Sequence, residues 1–342
     1  MIKLPGETPA TENTAFDLPL EGVSKENFVP ISTEFLIPEK VCDFPIYIYH
    51  SSRKRFILFK QETLPIRSAQ LEQLTKKGTR EVYTTKDFEF HYYQYLVDNL
   101  PSVVGNQMLS TEDRTRQVML ISTAVLQRIF ENPPDNNTII QTAFQISDAL
   151  CDLISSDPLS LVQLNQLRQY DYYTYTHSIN VCVFGIGLIR QMDSEIHDRD
   201  LKDITRGLLL HDIGKCDIPP YLVNKKGPLN EEEWKTMKNH PVWGYRRLRD
   251  SSEISENSRR IALLHHESYD GSGYPTGISG PDIPFTSRIC KVTDVFDALT
   301  SHRSYKRRIN AFEALQLMRD EMNHQLDQDI LKQFILFLGK LG

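Results

Sequence analysis

The chain has 342 residues, of which 40% are hydrophobic and 25% are charged. This composition is typical of a globular protein with about two domains, and it excludes a disordered tail or a fibre. The 39 basic residues are outnumbered by 45 acidic ones, so the chain lacks the overall positive charge that attracts DNA or RNA. A phosphate-bearing ligand must therefore be bound by a local basic patch.

The apolar segments are too short to cross a membrane. The longest run, residues 181–189, is about half the length of a spanning helix, and residues 1–5 do not begin a signal peptide. We therefore expect no membrane insertion and a cytoplasmic location. The five cysteines are scattered without a CxxC spacing, so we expect free thiols and no thiolate zinc site.

The N-terminal part predicts a loose arm followed by a small α/β or α+β module. Residues 1–30 are rich in Pro, Thr, Glu and Asn and show little periodicity, which favours a flexible arm. Residues 31–105 carry neither a Gly-rich phosphate loop nor an acidic cluster, so we interpret them as an accessory domain, either regulatory or purely structural. The pattern predicts strands over 44–49, 55–59 and 81–83, a helix ending at Gly78 and an aromatic helix near 88–100.

Residues 106–160 predict a pair of helices whose role the sequence leaves open. In the second helix, apolar residues keep heptad spacing for about two repeats, namely Ile139, Ala143, Ile146, Leu150 and Leu153. Such a stripe fits a face packed in a core. It also fits a linker that forms a homodimer and relays a signal from the N-terminal module. Asp157-Pro158 marks the boundary before the region 161–342.

The histidines are concentrated in this last region, where six of the ten lie between His177 and His266. Five segments place imidazoles or carboxylates beside apolar helical stripes. Burying these groups without partners would cost several kcal/mol each, whereas divalent metal ions would satisfy them. Imidazole and carboxylate donors without thiolate favour iron or manganese. The groups that these segments offer are His177, His211, Asp212, His240, His265, His266, Asp294 and Asp297.

Two local features complete the sequence-based prediction of this region. Asn230 predicts an N-cap for the helix that delivers His240, and Trp234 and Met237 are expected to form the buried face of that helix. Gly214 is expected to end the helix that carries the His-Asp pair.

Five motifs follow one another in order between residues 211 and 306, within a region of resemblance that runs from about 172 to 339. They are His211-Asp212-Ile213-Gly214-Lys215, His240-Pro241, His265-His266-Glu267, the loop from Asp270 to Pro275 and the segment from Asp294 to Lys306. Together they resemble the HD-GYP family of cyclic di-GMP phosphodiesterases, a branch of the HD superfamily. The resemblance implies an all-helical HD-type C-terminal domain and says nothing about residues 1–160. Together with the small N-terminal α/β (or α+β) module inferred from the strand pattern, it predicts a mainly α protein.

The resemblance also implies two divalent metal ions, iron or manganese. One would be held by His177, His211, Asp212 and Asp294, and the other by Asp212, His240, His265 and His266, with Asp212 bridging. Some relatives place a Glu four residues before the first ligand histidine, where it helps to hold a third metal. This chain has Tyr173 there. We therefore expect two metals, and linear pGpG rather than GMP as the end product.

The implied reaction opens cyclic di-GMP, a bacterial second messenger, with a hydroxide that bridges the two metals. The expected catalytic residues are Asp212, Lys215, which neutralises developing charge or protonates the leaving group, and Asp297, which orients Lys215.

Substrate binding is assigned to a glycine- and proline-rich loop and to a local basic patch. Tyr274 is available for base stacking or for a hydrogen bond to phosphate. The expected substrate-binding residues are Gly273, Tyr274, Pro275, Arg303 and Lys306.

Two alternatives remain at this stage. Besides a cyclic di-GMP phosphodiesterase, the chain could be an HD phosphohydrolase of another cyclic dinucleotide or a weakly catalytic cyclic-dinucleotide receptor that signals through protein partners. The intact ligand set and Lys215 weigh against the receptor.

Overall fold

The computed structural model describes residues 19–20, 24–157, 159–167, 174–225, 227–301 and 309–341. The chain divides into two compact units, Met1–Leu96 and Val97–Gly342. The first holds a small sheet with helices and the second is helical, which confirms the mainly α fold class predicted from the sequence. No helix in the described ranges is long and apolar enough to cross a membrane.

The first unit is built on an antiparallel sheet. Its strands are β1 (Pro19–Leu20), β2 (Phe28–Ser32), β3 (Ile46–His50), β4 (Arg55–Lys60) and β5 (Glu81–Thr85). They lie in the order β1-β4-β3-β5-β2, with Tyr47 opposite Leu58 and Pro30 opposite Tyr83. The three strands predicted from the sequence are confirmed to within two residues at their ends.

The prediction of a flexible arm over residues 1–30 is wrong for the last residues of that range. Lys25–Asn27 form a 3-10 helix, and the chain then enters β2, which pairs along its length with β5. Pro30 hides this strand from a pattern search because proline cannot donate to a ladder. It is tolerated because β2 lies at the edge of the sheet and Pro30 is exposed.

The α-helices of the described chain begin after β4, and the boundary between the two units falls within the second of them. α1 (Ser68–Lys76) ends ahead of Gly78, which adopts a φ of 66°. The single helix predicted near 88–100 is two helices, α2 (Glu89–Asp98) and α3 (Leu100–Val104), because Pro101 lies in the first turn of α3.

The second unit continues with helices α4 to α15. Their bounds are α4 Thr111–Glu131, α5 Asn136–Ser156, α6 Leu159–Leu167, α7 Thr174–Met192, α8 Asp198–Leu209, α9 Pro220–Val223, α10 Glu231–Met237, α11 His240–Arg249, α12 Glu256–Leu264, α13 Phe285–Thr300, α14 Ala311–Asp320 and α15 Gln328–Gly339.

Helix α7 is the centre of this unit. All of its residues from 177 to 189 are buried, as its all-round apolar pattern predicts. Phe184 on α7 packs edge-on against Phe296 of α13 and Phe334 of α15, with ring centroids 5.3 and 5.8 Å away. These contacts bind α7 and α13 together, and both helices carry candidate ligands.

The apolar stripe of α5 is part of the core of the second unit. Its five residues are at most 2% exposed, and α5 packs against α8 within the same unit. The structure therefore favours core packing for this stripe over the alternative of a linker that pairs two chains. A homodimer stays a prediction.

Candidate metal centre

The candidate ligands come from five segments of the second unit. His177 lies on α7, Asp294 lies on α13, and His240 is the first residue of α11. The other four lie just beyond helix ends, His211 and Asp212 after α8 and His265 and His266 after α12. All seven are buried except His266, which is partly exposed.

Three of the histidines are oriented by their own backbone. Each Nδ1 lies within hydrogen-bonding distance of the carbonyl oxygen three residues earlier, so we assign the proton to Nδ1. This tautomer leaves Nε2 with a free lone pair, as a metal ligand requires. The pairs are His211 with Leu208 at 2.7 Å, His240 with Met237 at 2.8 Å and His265 with Ala262 at 2.9 Å.

These lone pairs converge on the carboxylate of Asp212. Its Oδ1 lies 3.2 Å from Nε2 of His240 and 3.8 Å from Nε2 of His265. Its Oδ2 lies 3.4 Å from Nε2 of His211 and 3.8 Å from Nε2 of His177. Two overlapping sets of donor atoms result, and within each set the atoms lie within 4.8 Å of one another. One set comes from Asp212, His240, His265 and His266, and the other from Asp212, His177 and His211.

The donor set fits divalent cations on the chemistry of its atoms. Nε2 of His211 and Oδ1 of Asp212 are buried, and no described residue gives either atom a hydrogen-bond partner. Nε2 of His240 and Nε2 of His265, both unprotonated in the assigned tautomers, face each other at 3.2 Å. Lone pairs directed at one another away from water are unfavourable unless a cation lies between them.

The protonation states match this requirement. Burial and neighbouring imidazoles hold the pKa of His265 well below its ordinary value, and burial does the same for His266. Burial alone would raise the pKa of Asp212, but the charge of Lys215 and contacts with His211 outweigh it and hold that pKa well below the ordinary value. His265 and His266 are therefore neutral and Asp212 is ionised near pH 7.

His177 is oriented by a carboxylate rather than by its backbone. Its Nδ1 lies 2.8 Å from Oδ2 of Asp297, and its Nε2 lies 3.1 Å from Oδ1 of Asp294. Burial opposes a charge on His177, but the two carboxylates outweigh it and raise its pKa to about 9. Asp294 thus lies beside the His177 end of the cluster, where the resemblance places it.

The role expected of Asp297 needs correction. It was expected to orient Lys215, but its carboxylate is fully buried and its described hydrogen bonds join it to other groups. His177 is one partner, Asn180 donates to Oδ1 at 2.9 Å and the Ser301 hydroxyl donates to Oδ2 at 2.9 Å. The geometry makes Asp297 a residue that positions His177.

Lys215 lies at the edge of the cluster. Its ammonium group contacts Oδ2 of Asp212, and its side chain is 22% exposed. A cation in this place can reach both the ligand carboxylate and a phosphate that enters from solvent.

The expected role of Gly214 is wrong. Helix α8 already ends at Leu209, and Gly214 lies inside a 3-10 helix, Ile213–Asp217. A Cβ atom on Gly214 would lie 1.9 Å from the carbonyl oxygen of His240. Glycine is needed there because the His-Asp turn and the start of α11 touch through their backbones.

The loop after α12 is fixed to the centre by Glu267. This carboxylate is 1% exposed and accepts hydrogen bonds from the backbone and hydroxyl of Thr276, both at 2.7 Å, and from the backbone of Gly277 at 3.1 Å. Sequence reasoning gave Glu267 no role. A carboxylate that directly follows two buried ligands needs nearby donors, but their identity is not visible in the sequence.

The residues of the Gly-Tyr-Pro segment pack closely on that anchor. A Cβ on Gly273 would lie 2.3 Å from the backbone nitrogen of Ser268, and the Tyr274–Pro275 peptide is cis. The Tyr274 ring stacks on His266 with centroids 4.8 Å apart. Burial raises the pKa of Tyr274, so its hydroxyl stays protonated and can donate a hydrogen bond.

The burial expected for α10 is wrong. The Asn230 cap is confirmed, but α10 has no buried residue, Trp234 is 48% exposed and Met237 is only partly covered. Trp234 lines a cavity of 690 Å³ beside His266 and Tyr274.

Three residues of the sequence-based prediction lie outside the described residues. They are Arg303 and Lys306, expected to bind substrate, and Tyr173, expected to replace the third-metal ligand.

Comparisons with known proteins agree with this geometry. A family model described as an HD domain matches residues 150–330. A cyclic di-GMP phosphodiesterase of Pseudomonas aeruginosa is 36% identical over 197 residues, which are 58% of this chain and 47% of the relative. A 3'3'-cGAMP-specific phosphodiesterase of Vibrio cholerae is 31% identical over 210 residues, 61% of this chain and 43% of the relative. The chain thus spans about half the length of the curated relatives it matches.

One solved structure shares the fold. An HDG"Y"P protein from Bdellovibrio bacteriovorus superposes with a TM-score of 0.63 at 20% sequence identity, covering 91% of this chain and 99% of that one. The family model spans more than half of the sequence, and the motifs, the helical fold and the buried histidine and aspartate cluster agree with it. The chain therefore belongs to the HD domain family, as its sequence motifs predict.

Proposed function

We propose that this chain is a metal-dependent phosphodiesterase that hydrolyses cyclic di-GMP to linear pGpG. The observation that carries the proposal is the convergence of buried histidine Nε2 atoms on the carboxylate of Asp212. Groups of this kind, brought together away from water, indicate a binuclear centre of the type used to cleave phosphate esters.

Two divalent ions, iron or manganese, suit the donors. His177, His211, Asp212 and Asp294 would hold one, and Asp212, His240, His265 and His266 would hold the other. Nitrogen and oxygen donors without thiolate favour these metals over structural zinc. When bound, such ions supply Lewis acidity, which lowers the pKa of water and neutralises charge on a phosphodiester.

The side chains around the ligands have separate tasks. Lys215 is placed to stabilise negative charge that develops on the phosphoryl group or to protonate the leaving oxygen. Asp297 and Asn180 hold His177 with Nε2 directed at Asp212 and Asp294.

The choice of substrate rests on the relatives and on the loop. Several of the relatives that match this chain are named cyclic di-GMP phosphodiesterases, and the predicted Gly-Tyr-Pro loop closes on ligand His266. A second candidate is 3'3'-cGAMP, because a relative with that specificity is also 31% identical. Binding of either dinucleotide without cleavage, with signalling through protein partners, is the outcome that would favour a receptor.

The test compares Asp212→Ala with Asp250→Ala, a change at an exposed carboxylate. Both proteins are purified anaerobically, analysed for bound metal and incubated with cyclic di-GMP or 3'3'-cGAMP, and the products are separated by chromatography. We expect Asp212→Ala to lose metal and activity together, since it removes the shared ligand, and Asp250→Ala to form pGpG normally. Retention of both metals by Asp212→Ala would contradict the ligand assignment. If the unaltered protein binds a cyclic dinucleotide tightly without cleaving it, the proposal that the chain is an enzyme is contradicted.

Tyr173→Glu tests the expected end product. If this position decides between two and three metals, the variant should bind a third ion and convert more substrate to GMP. Unchanged metal content and product would show that the position is not decisive.

A further inference from the structure

The cavity beside the metal centre has one wall that the sequence-based prediction did not assign. It is an open cleft of about 690 Å³, within the range of about 300–1,000 Å³ typical of ligand sites. Candidate ligand His266 and Tyr274 form one part of the lining. The rest comes from α10 and the residue after it, with Glu231, Trp234, Lys235 and Lys238.

Trp234 has the properties of a stacking platform. It is 48% exposed, although tryptophan is normally well covered in a folded protein, and it stacks on no other ring in the described ranges. Tyr274 is a less available platform because the His266 ring already stacks on it, with the two planes inclined by 22°. A nucleobase that enters this cavity therefore finds its flat apolar surface on Trp234.

Lys238 supplies positive charge next to that surface. Its ammonium lies 5.3 Å from the centroid of the Tyr274 ring, and no carboxylate among the described residues forms an ion pair with it. The neighbouring lysine of the wall is different, since Lys235 pairs with Glu232 at 2.6 Å. Glu231 makes its own end of the wall unfavourable for phosphate, so the Lys238 end is the better place for one.

We propose that this wall binds one nucleotide unit of the substrate, with Trp234 stacking on the base and Lys238 pairing with a phosphate. The inference rests on the proposed hydrolysis of a cyclic dinucleotide and adds two specificity-determining residues to it. Because both contacts are made outside the ligand cluster, they act on binding of the substrate and leave metal content unaffected.

The first experiment measures kcat and KM for cyclic di-GMP in Trp234→Ala, Trp234→Phe and the matched control Trp243→Phe. Trp243 is the only other tryptophan and does not line the cavity. Base stacking on an aromatic residue predicts that Trp234→Ala raises KM by about ten- to one-hundred-fold with unchanged metal content. Trp234→Phe should recover most of that loss, and Trp243→Phe should leave KM unchanged.

The second experiment tests the charge. Lys238→Gln should raise KM several-fold and weaken its dependence on salt concentration, because an exposed ammonium that pairs with phosphate is screened by salt. Lys332→Gln, at an exposed lysine away from the cavity, is the control and should change neither quantity.

The outcomes separate this inference from the proposed function. If the unaltered protein cleaves no cyclic dinucleotide, the proposed function fails. If it cleaves cyclic di-GMP and Trp234→Ala keeps the KM of the unaltered protein, the inference is overturned and the function stands. A fall in metal content or melting temperature for Trp234→Ala that Trp234→Phe does not restore would also overturn it, because the residue would then be structural.

Discussion

The backbone contact between the His-Asp turn and α11 gives a sharp test of how the metal centre is assembled. Gly214→Ala places a Cβ 1.9 Å from the carbonyl oxygen of His240 and 2.5 Å from the backbone nitrogen of Gly244. Real Cβ atoms essentially never lie within 3.0 Å of such atoms, so the two segments must separate by about 1.1 Å. This separation would widen the 3.2 Å gap between Asp212 Oδ1 and His240 Nε2.

The expected cost has two parts. Overpacking of this kind destabilises a protein by about 1–3 kcal/mol. A displacement of about 1 Å in a catalytic centre can lower the rate by about a hundredfold. The matched control is Gly244→Ala on the other side of the same contact. Its Cβ would meet Gly214 only at 3.3 Å, and alanine is about 1 kcal/mol more favourable than glycine within a helix.

Denaturant unfolding, metal analysis and phosphodiesterase assays of the two variants would test whether this backbone contact sets the geometry of the metal centre. We expect Gly214→Ala to lose stability, metal affinity and activity, and Gly244→Ala to stay close to the unaltered protein in all three. Equal stability and metal affinity in both variants would refute the idea that this contact sets the distance between Asp212 and His240.

Three further substitutions address single groups of the site. Lys215→Met should lower kcat by about a hundred- to a thousandfold while metal content stays the same, as measured by steady-state kinetics and elemental analysis. An unchanged kcat would show that Lys215 takes no part in the reaction. Asp297→Asn should weaken metal binding by about ten- to a hundredfold, because it alters the group that positions a ligand histidine, and a titration with Mn²⁺ showing full affinity would contradict that role. Glu267→Gln turns an amide N–H₂ towards backbone donors, so the free energy of unfolding should fall by about 1–3 kcal/mol, as measured by thermal unfolding, and KM should rise. An unchanged KM would show that the loop does not need this anchor.

The site was more visible in the sequence than its surroundings. His211 and His265 follow helices with clear apolar stripes, whereas His240 was visible only through its place in the ordered motifs. The partners that orient them are backbone carbonyls three residues earlier, and every residue has such a carbonyl. This part of the geometry has no sequence signal.

The incorrect predictions for α10, Gly214 and β2 also concern features that depend on tertiary structure. α10 has seven residues, about two turns, so its pattern could not show whether Trp234 faces a core or a cavity. Gly214 resembles a helix-ending glycine, but its requirement comes from the backbone of His240, which is distant in the sequence. β2 contains Pro30, which is compatible with a strand only because the tertiary structure places that strand at an edge.

The most direct test of the account is anomalous diffraction from crystals of the protein loaded anaerobically with iron or manganese. We predict two peaks of anomalous scattering that share Asp212, one beside His177 and His211 and the other beside His240 and His265. Crystals in which these side chains are splayed apart, or that show no peak near Asp212 after loading with either metal, would contradict the central claim.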